Sequence, residues 1–164
     1  MEARMKHDPS MKTPYPDANF SMRLTYGTVK PYDSWDGNPY SSFTWGDEIL
    51  AKHKEGDSEF DVPDRLQELL KNKDFGPYDK DGKLPVCFIH NTDITGGNSG
   101  SPVINADGHL IGIAFDGNWE SMTSDLKYDD DIVRTISVDI RYVLFIIDKY
   151  AGASHLVEEM QLIK

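Results

Sequence analysis

Apolar and polar positions alternate along some stretches of the chain and recur at helical spacing along others. From Phe20 to Tyr26 every second residue is apolar (Phe20, Met22, Leu24, Tyr26), with Ser21, Arg23 and Thr25 between them. A period of two belongs to a half-buried strand, so residues 20–32 are expected to form one, with Gly27 as bulge or turn. Residues 33–46 mix Gly, Asp, Asn and Ser with aromatics and read as a loop that begins a second strand at 42–45. The stretch 44–53 fits helix or strand. Pro63 followed by residues 64–72 (DRLQELLKN) predicts a short amphipathic helix with the proline at its first position.

The second half is more clearly punctuated. Residues 84–90 (LPVCFIH) predict an apolar strand and 92–101 a Gly-rich loop. Residues 102–105 and 110–115 read as two strands joined by a tight turn at 106–108. Residues 116–131 form a polar loop with room for a short strand, and 134–138 (RTISV) alternate again. Asp139 stands where an N-cap is needed for a helix over 140–150, Gly152 follows its end, and Ser154 is placed to cap a last helix reaching 162. The expected architecture is a mostly-β barrel or sandwich with short helices and a helical C-terminus.

The chain has 164 residues, enough for one domain of ordinary size. Its formal net charge of −11 argues against a nucleic-acid backbone or an anionic membrane surface as partner, because both need a basic face. The hydrophobic share is 38%, so a core can form, though a slightly lean one. Cys87 is the single cysteine, so neither an intrachain disulfide nor a Cys-rich zinc site is possible. No apolar run is long enough for a membrane span, and the first 19 residues, read as an extended arm or linker, lack the apolar core of a signal peptide. The acidic run Tyr128–Asp131 does not have the spacing of an EF-hand loop and reads as a solvated loop.

The candidate chemistry lies in the loop Gly96-Gly97-Asn98-Ser99-Gly100-Ser101-Pro102-Val103. A nucleophilic serine must be presented on a tight turn, with backbone N–H groups aimed at the oxyanion that forms when a carbonyl is attacked. Glycines on both sides of Ser99 permit such a turn. Ser99 is the candidate nucleophile, and the N–H groups of Gly97 and Ser99 are the candidate oxyanion donors. A Gly-x-Ser-Gly tetrad alone is also a plain turn, and Ser101 is an alternative nucleophile. Asp116, in the sequence FDGN, has good turn chemistry by itself.

Four blocks in order, YPDANFSMRLTYG, TDITGGNSGSPV, LIGIAFDGNWE and RTISVDIRYVLFIIDKYAG, resemble the C-terminal part of the S46 family of bacterial dipeptidyl-peptidases. The resemblance runs from about Tyr15 to the C-terminus. It implies a trypsin-like β-barrel, the second barrel of a chymotrypsin-like double barrel, over residues 20–164, with C-terminal helices from about 139. It implies serine exopeptidase chemistry on peptide substrates, with Ser99 as nucleophile and Gly97 in the oxyanion hole. Gly117 would line the S1 pocket, where a missing side chain leaves room for an apolar P1 residue and a guanidinium would instead pair with a carboxylate. Asp116 would hold the substrate's α-ammonium. No metal and no organic cofactor are implied.

The family's histidine and aspartate, and an asparagine of its inserted helical domain, lie outside the matched blocks. None of His7, His53, His90, His109 and His155 sits in a matching histidine motif. A working peptidase therefore needs the N-terminal barrel and helical domain as partners, the isolated chain is expected to be inactive, and the parent is expected to be exported to the periplasm or cell surface and able to form a homodimer. Two other readings stay open. A catalytically incomplete remnant or binding scaffold fits the Met1 start, the lean apolar content and the missing base, and a half-barrel would expose a large apolar face. A self-contained protease would place His90 or His53 within hydrogen-bond reach of Ser99.

Overall fold

The computed structural model describes residues 21–124 and 127–163. A two-stranded ribbon pairs β1 (Tyr32–Asp33) with β2 (Pro39–Tyr40), and the Tyr32 and Tyr40 rings stack at 5.0 Å. The main sheet is antiparallel and combines β3 (Phe43–Trp45), β4 (Pro85–His90), β5 (Pro102–Ile104), β6 (Leu110–Gly117) and β7 (Thr135–Asp139) in the order β3-β4-β7-β6-β5. Among the described residues the sheet is open, since its edge strands β3 and β5 do not pair. The segment is thus β-rich with short helices, and barrel closure is not part of the described structure.

The helices follow their local signals. α1 (Gly46–Lys52) turns out of β3, with the Glu48 carboxylate accepting from Trp45 N–H at 2.9 Å. This settles the helix-or-strand ambiguity over 44–53. In α2 (Asp64–Lys71), Leu66 and Leu70 share the buried face, and Pro63 precedes the first turn as its N-cap. Asp139 caps α3 (Ile140–Phe145) by accepting from Arg141 N–H at 2.9 Å and also binds the Arg141 guanidinium at 2.9 and 2.7 Å. α3 widens into a π-helical turn over Ile146–Tyr150, and Gly152 follows with φ +67°. The apolar core lies among these helices: Leu66 and Leu70 meet Phe75, Tyr78, Leu84, Leu144, Phe145 and Val157. Burying a side chain such as Phe145 contributes about 1.5–3 kcal/mol, so this cluster holds the helices to one another.

Three expectations need correction. Residues 21–31 contribute no strand to the sheet: Val29 bridges His90, Asn91 N–H donates to Thr28 O at 3.2 Å, Thr28 N–H donates to Asn91 Oδ1 at 2.6 Å, and Asp93 N–H donates to Thr25 Oγ1 at 3.1 Å. Leu24 and Tyr26 are 90% and 89% exposed. Alternation marks a face but supplies no partner backbone, and a strand needs both. Phe20 and the arm at 1–19 lie outside the described residues. The polar loop after β6 carries a 3₁₀ helix, Trp119–Thr123, where a short strand had room to form. The last helix, α4, runs Ser154–Glu158 and starts after Ala153; the Ser154 hydroxyl donates to Asp148 at 2.6 Å, so it does not cap the helix.

The inner face of the sheet sets buried polar residues beside the apolar Phe88 and Ala114. Thr135, Ser137 and Asp139 are buried on β7, whereas Ile136 and Val138 are half-buried on its other face. His90, 4% exposed, belongs to the same inner face and makes ring-nitrogen hydrogen bonds with Ser137 Oγ at 2.7 Å and Thr92 Oγ1 at 2.8 Å. A neutral imidazole satisfies both partners. Burial pushes its pKa down to about 4 from the ordinary value near 6.5.

Between those two values the unfolded chain binds a proton that the folded chain does not. Stability from this site is therefore full above pH 6.5 and falls as the pH drops toward 4. Urea midpoints measured from pH 7 to 5 should decline more steeply for the native chain than for His90→Gln. Parallel declines would mean that His90 titrates normally.

Candidate active site

The Gly-rich loop holds Ser99 between Gly97 (φ +94°) and Gly100 (φ +84°), backbone conformations that side chains rarely adopt. Asn98 closes the turn from within: its Oδ1 accepts from Thr95 N–H at 3.1 Å and its carbonyl accepts from Ser101 N–H at 3.0 Å. The loop is sewn to β6 by Gly100 N–H donating to Ala114 O at 2.7 Å and Ala114 N–H donating to Ser101 O at 2.9 Å. Ser99 is exposed, and its hydroxyl donates weakly to Phe115 O at 3.4 Å. Among the described residues, the N–H groups of Gly97 and Ser99 donate to no acceptor, the state an oxyanion donor requires. Ser101 is half-buried at the start of the β5–β6 pairing, which disfavours it as nucleophile.

The two other sequence-predicted residues sit on the strand to which the serine loop is sewn. β6 shifts register between Ala114 and Asp116, a bulge at Phe115, and then pairs Asp116 with Ile136 and Gly117 with Thr135. Asp116 and Gly117 are therefore ladder residues, and the simple turn reading of FDGN does not hold. Asp116 is exposed, with Oδ1 accepting from Gly117 N–H at 2.8 Å. The structure thus gathers Ser99, Gly97, Asp116 and Gly117 around the loop and the distal half of β6. Among the described residues it brings neither His90 nor His53 to them. His90 is engaged with Ser137 and Thr92, and His53 with Val62 N–H at 3.1 Å and Gln67 at 3.2 Å. The self-contained protease reading fails on these contacts.

Sequence reasoning missed the residues that hold the end of β6. Asn118 is buried and joined on every side: its Oδ1 accepts from Arg134 N–H at 2.8 Å, and its Nδ2 donates to Ile132 O at 2.7 Å and to Glu120 at 2.9 Å. Its backbone N–H donates to Arg134 O at 2.9 Å. Arg134 is 1% exposed. Its guanidinium donates to the carbonyls of Lys30, Pro31, Asp130, Asp131 and Val133 and lies 5.4 Å from the Tyr32 ring. A buried cation is tolerated here because backbone dipoles converge on it. The one sequence signal for this network was an asparagine directly after the β6 glycine, with a serine three positions on.

Comparison with known proteins accords with this geometry. The Peptidase S46 family model matches residues 1–162. The Asp/Glu-specific dipeptidyl-peptidase of Flavobacterium psychrophilum is 50% identical over 163 residues, covering 99% of this chain and 23% of that relative. Dipeptidyl-peptidase 7 of Phocaeicola vulgatus is 53% identical over 150 residues, covering 91% of this chain and 21% of that protein. The crystal structure of Porphyromonas endodontalis DPP11 in complex with dipeptide Arg-Asp superposes with a TM-score of 0.85 at 40% identity, over 98% of this chain and 23% of that one. The chain spans less than a quarter of the length of these relatives. It belongs to the peptidase S46 family.

Proposed function

We propose that the chain supplies the nucleophile, the oxyanion hole and the S1 pocket of a serine dipeptidyl-peptidase that prefers an apolar P1 residue. One observation carries this reading: an exposed Ser99 on a turn with unengaged N–H groups, sewn to the strand that ends in Asp116 and Gly117. Ser99 Oγ attacks the carbonyl of the second residue and loses its proton to a general base. The tetrahedral oxyanion is held by the N–H groups of Gly97 and Ser99. Collapse breaks the peptide bond as the base returns its proton to the leaving amine, and water then hydrolyses the dipeptidyl ester, with its proton passing through the same base.

Asp116 pairs with the free α-ammonium, which counts two residues from the chain end. The relatives include both Asp/Glu-specific and dipeptidyl-peptidase 7 enzymes at similar identity, so overall likeness does not choose the P1 class. Gly117 favours the apolar class because it offers no cation to a P1 carboxylate. The base belongs to protein outside the described residues, and the trypsin-like barrel would close against that same remainder. Such an exopeptidase would work in the periplasm or at the cell surface, as a homodimer. The exposure of Leu24, Tyr26, Trp35, Phe115 and Trp119 supports a missing partner surface.

A non-catalytic scaffold is the second reading, favoured by the absence of a histidine beside Ser99 among the described residues. A chimera separates the two, with this chain replacing the matching segment of Phocaeicola vulgatus dipeptidyl-peptidase 7. The chimera should release dipeptides, and Ser99→Ala should lower kcat by more than about 10⁴-fold. The isolated chain should show no Ser99-dependent release. An inactive but folded chimera favours the scaffold.

In the same chimera, Asp116→Asn removes a charge-assisted bond to the substrate amine. It should lower kcat/KM roughly ten- to a hundredfold, chiefly through KM. Unchanged kinetics would remove Asp116 from amine recognition.

A further inference from the structure

Gly117 lacks a side chain, and its surroundings leave no room for one. A Cβ built on its backbone overlaps Ser121 Oγ and lies 3.1 Å from Ser121 Cβ and 3.7 Å from Arg134 O. Ser121 is not a loose neighbour. Its hydroxyl donates to Asn118 O at 2.6 Å, and its N–H donates to the same carbonyl at 3.0 Å. Asn118 in turn is fixed to Arg134 and Ile132. The 3₁₀ helix that carries Ser121 is thus braced through Asn118 against the strand leading into β7, and it cannot slide away from Gly117 without breaking those bonds. Rotating the Ser121 hydroxyl sacrifices its own bond and leaves Cβ in place.

We infer that Ser121 is a second specificity-determining residue, whose side chain fills the volume that a side chain at position 117 would enter. The pair 117 and 121, and not position 117 alone, then sets the size of the P1 pocket. The inference rests on the assignment of Gly117 to S1. It follows that any side chain at 117, a guanidinium included, is accommodated only when residue 121 recedes. Removing the Ser121 side chain opens space beside Gly117 and favours a larger apolar P1 residue.

The test is a double-mutant cycle in the chimera described above, comparing Gly117→Ala, Ser121→Gly and the double variant on dipeptidyl-coumarin substrates with Ala, Leu or Phe at P1. Gly117→Ala should lower kcat/KM for Leu about tenfold, mostly through KM, and Ser121→Gly should raise the Phe-to-Leu ratio several-fold. The double variant should recover most of the Gly117→Ala loss. Ser121→Ala, which keeps Cβ but not the hydroxyl, should recover less than Ser121→Gly does.

Thermal midpoints of the same proteins give a second readout, in which Ser121→Gly should offset the Gly117→Ala loss even if activity is low. Effects that combine independently in both readouts, while Gly117→Ala still shifts P1 ratios, overturn the role of Ser121 and leave Gly117 in S1. Coupled midpoints with P1 ratios unmoved by either variant overturn both the specificity role and the S1 assignment.

Discussion

The geometry of the site depends on how the serine loop is sewn to β6. The pair of backbone bonds between Gly100, Ser101 and Ala114 fixes the loop at one register of the strand. Each bond contributes only about 0.5–1.5 kcal/mol net, but together they leave Ser99 one place beyond the last paired residue, against the Phe115 carbonyl. The bulge at Phe115 then turns the strand before Asp116 and Gly117 rejoin the ladder with β7. A shift of one residue in this register would exchange the faces of Asp116 and Gly117 and separate the groups that the proposed chemistry needs together.

That register is in turn held by polar contacts set beside the buried Phe88 and Ala114. The inner face of β4 and β7 carries His90, Thr135, Ser137 and Asp139, each with a named hydrogen-bond partner. Beyond them, Arg134 gathers five carbonyls, and Asn118 ties the end of β6 to the strand entering β7. Such a network accepts few alternative arrangements, because a displaced strand leaves a buried polar atom unpaired. The apolar cluster around Phe145 lies to one side, where the helices pack. Stability thus comes largely from that cluster, while the placing of the site comes from the polar face.

How much of this was legible in the sequence differs along the chain. The hairpin of β5 and β6, the strand β4, the helix α2 and the Asp139 cap each have a local cause, and each lies within a residue or two of its expected place. The turn that holds Ser99 was legible for the same reason, since a glycine-bracketed serine implies its own turn. The stretch from Ser21 to Tyr26 misled because its alternation is real but its partner strand is not among the described residues. The polar core was hidden because RTISV displays Ile136 and Val138 as the expected inward residues, whereas Thr135 and Ser137 are buried more deeply. Asn118, Ser121 and Arg134 act through contacts distant in the chain, which single-sequence patterns do not encode.

The central claim is that Ser99 is the nucleophile, and it is tested most directly by covalent trapping. The chimera would be treated with a dipeptidyl phosphonate that has a free N-terminus and an apolar P1 residue, digested, and mapped by mass spectrometry. The account predicts one phosphonylated residue, Ser99, and no adduct after Ser99→Ala. An adduct on Ser101 or elsewhere, or equal labelling of the Ser99→Ala protein, would contradict it.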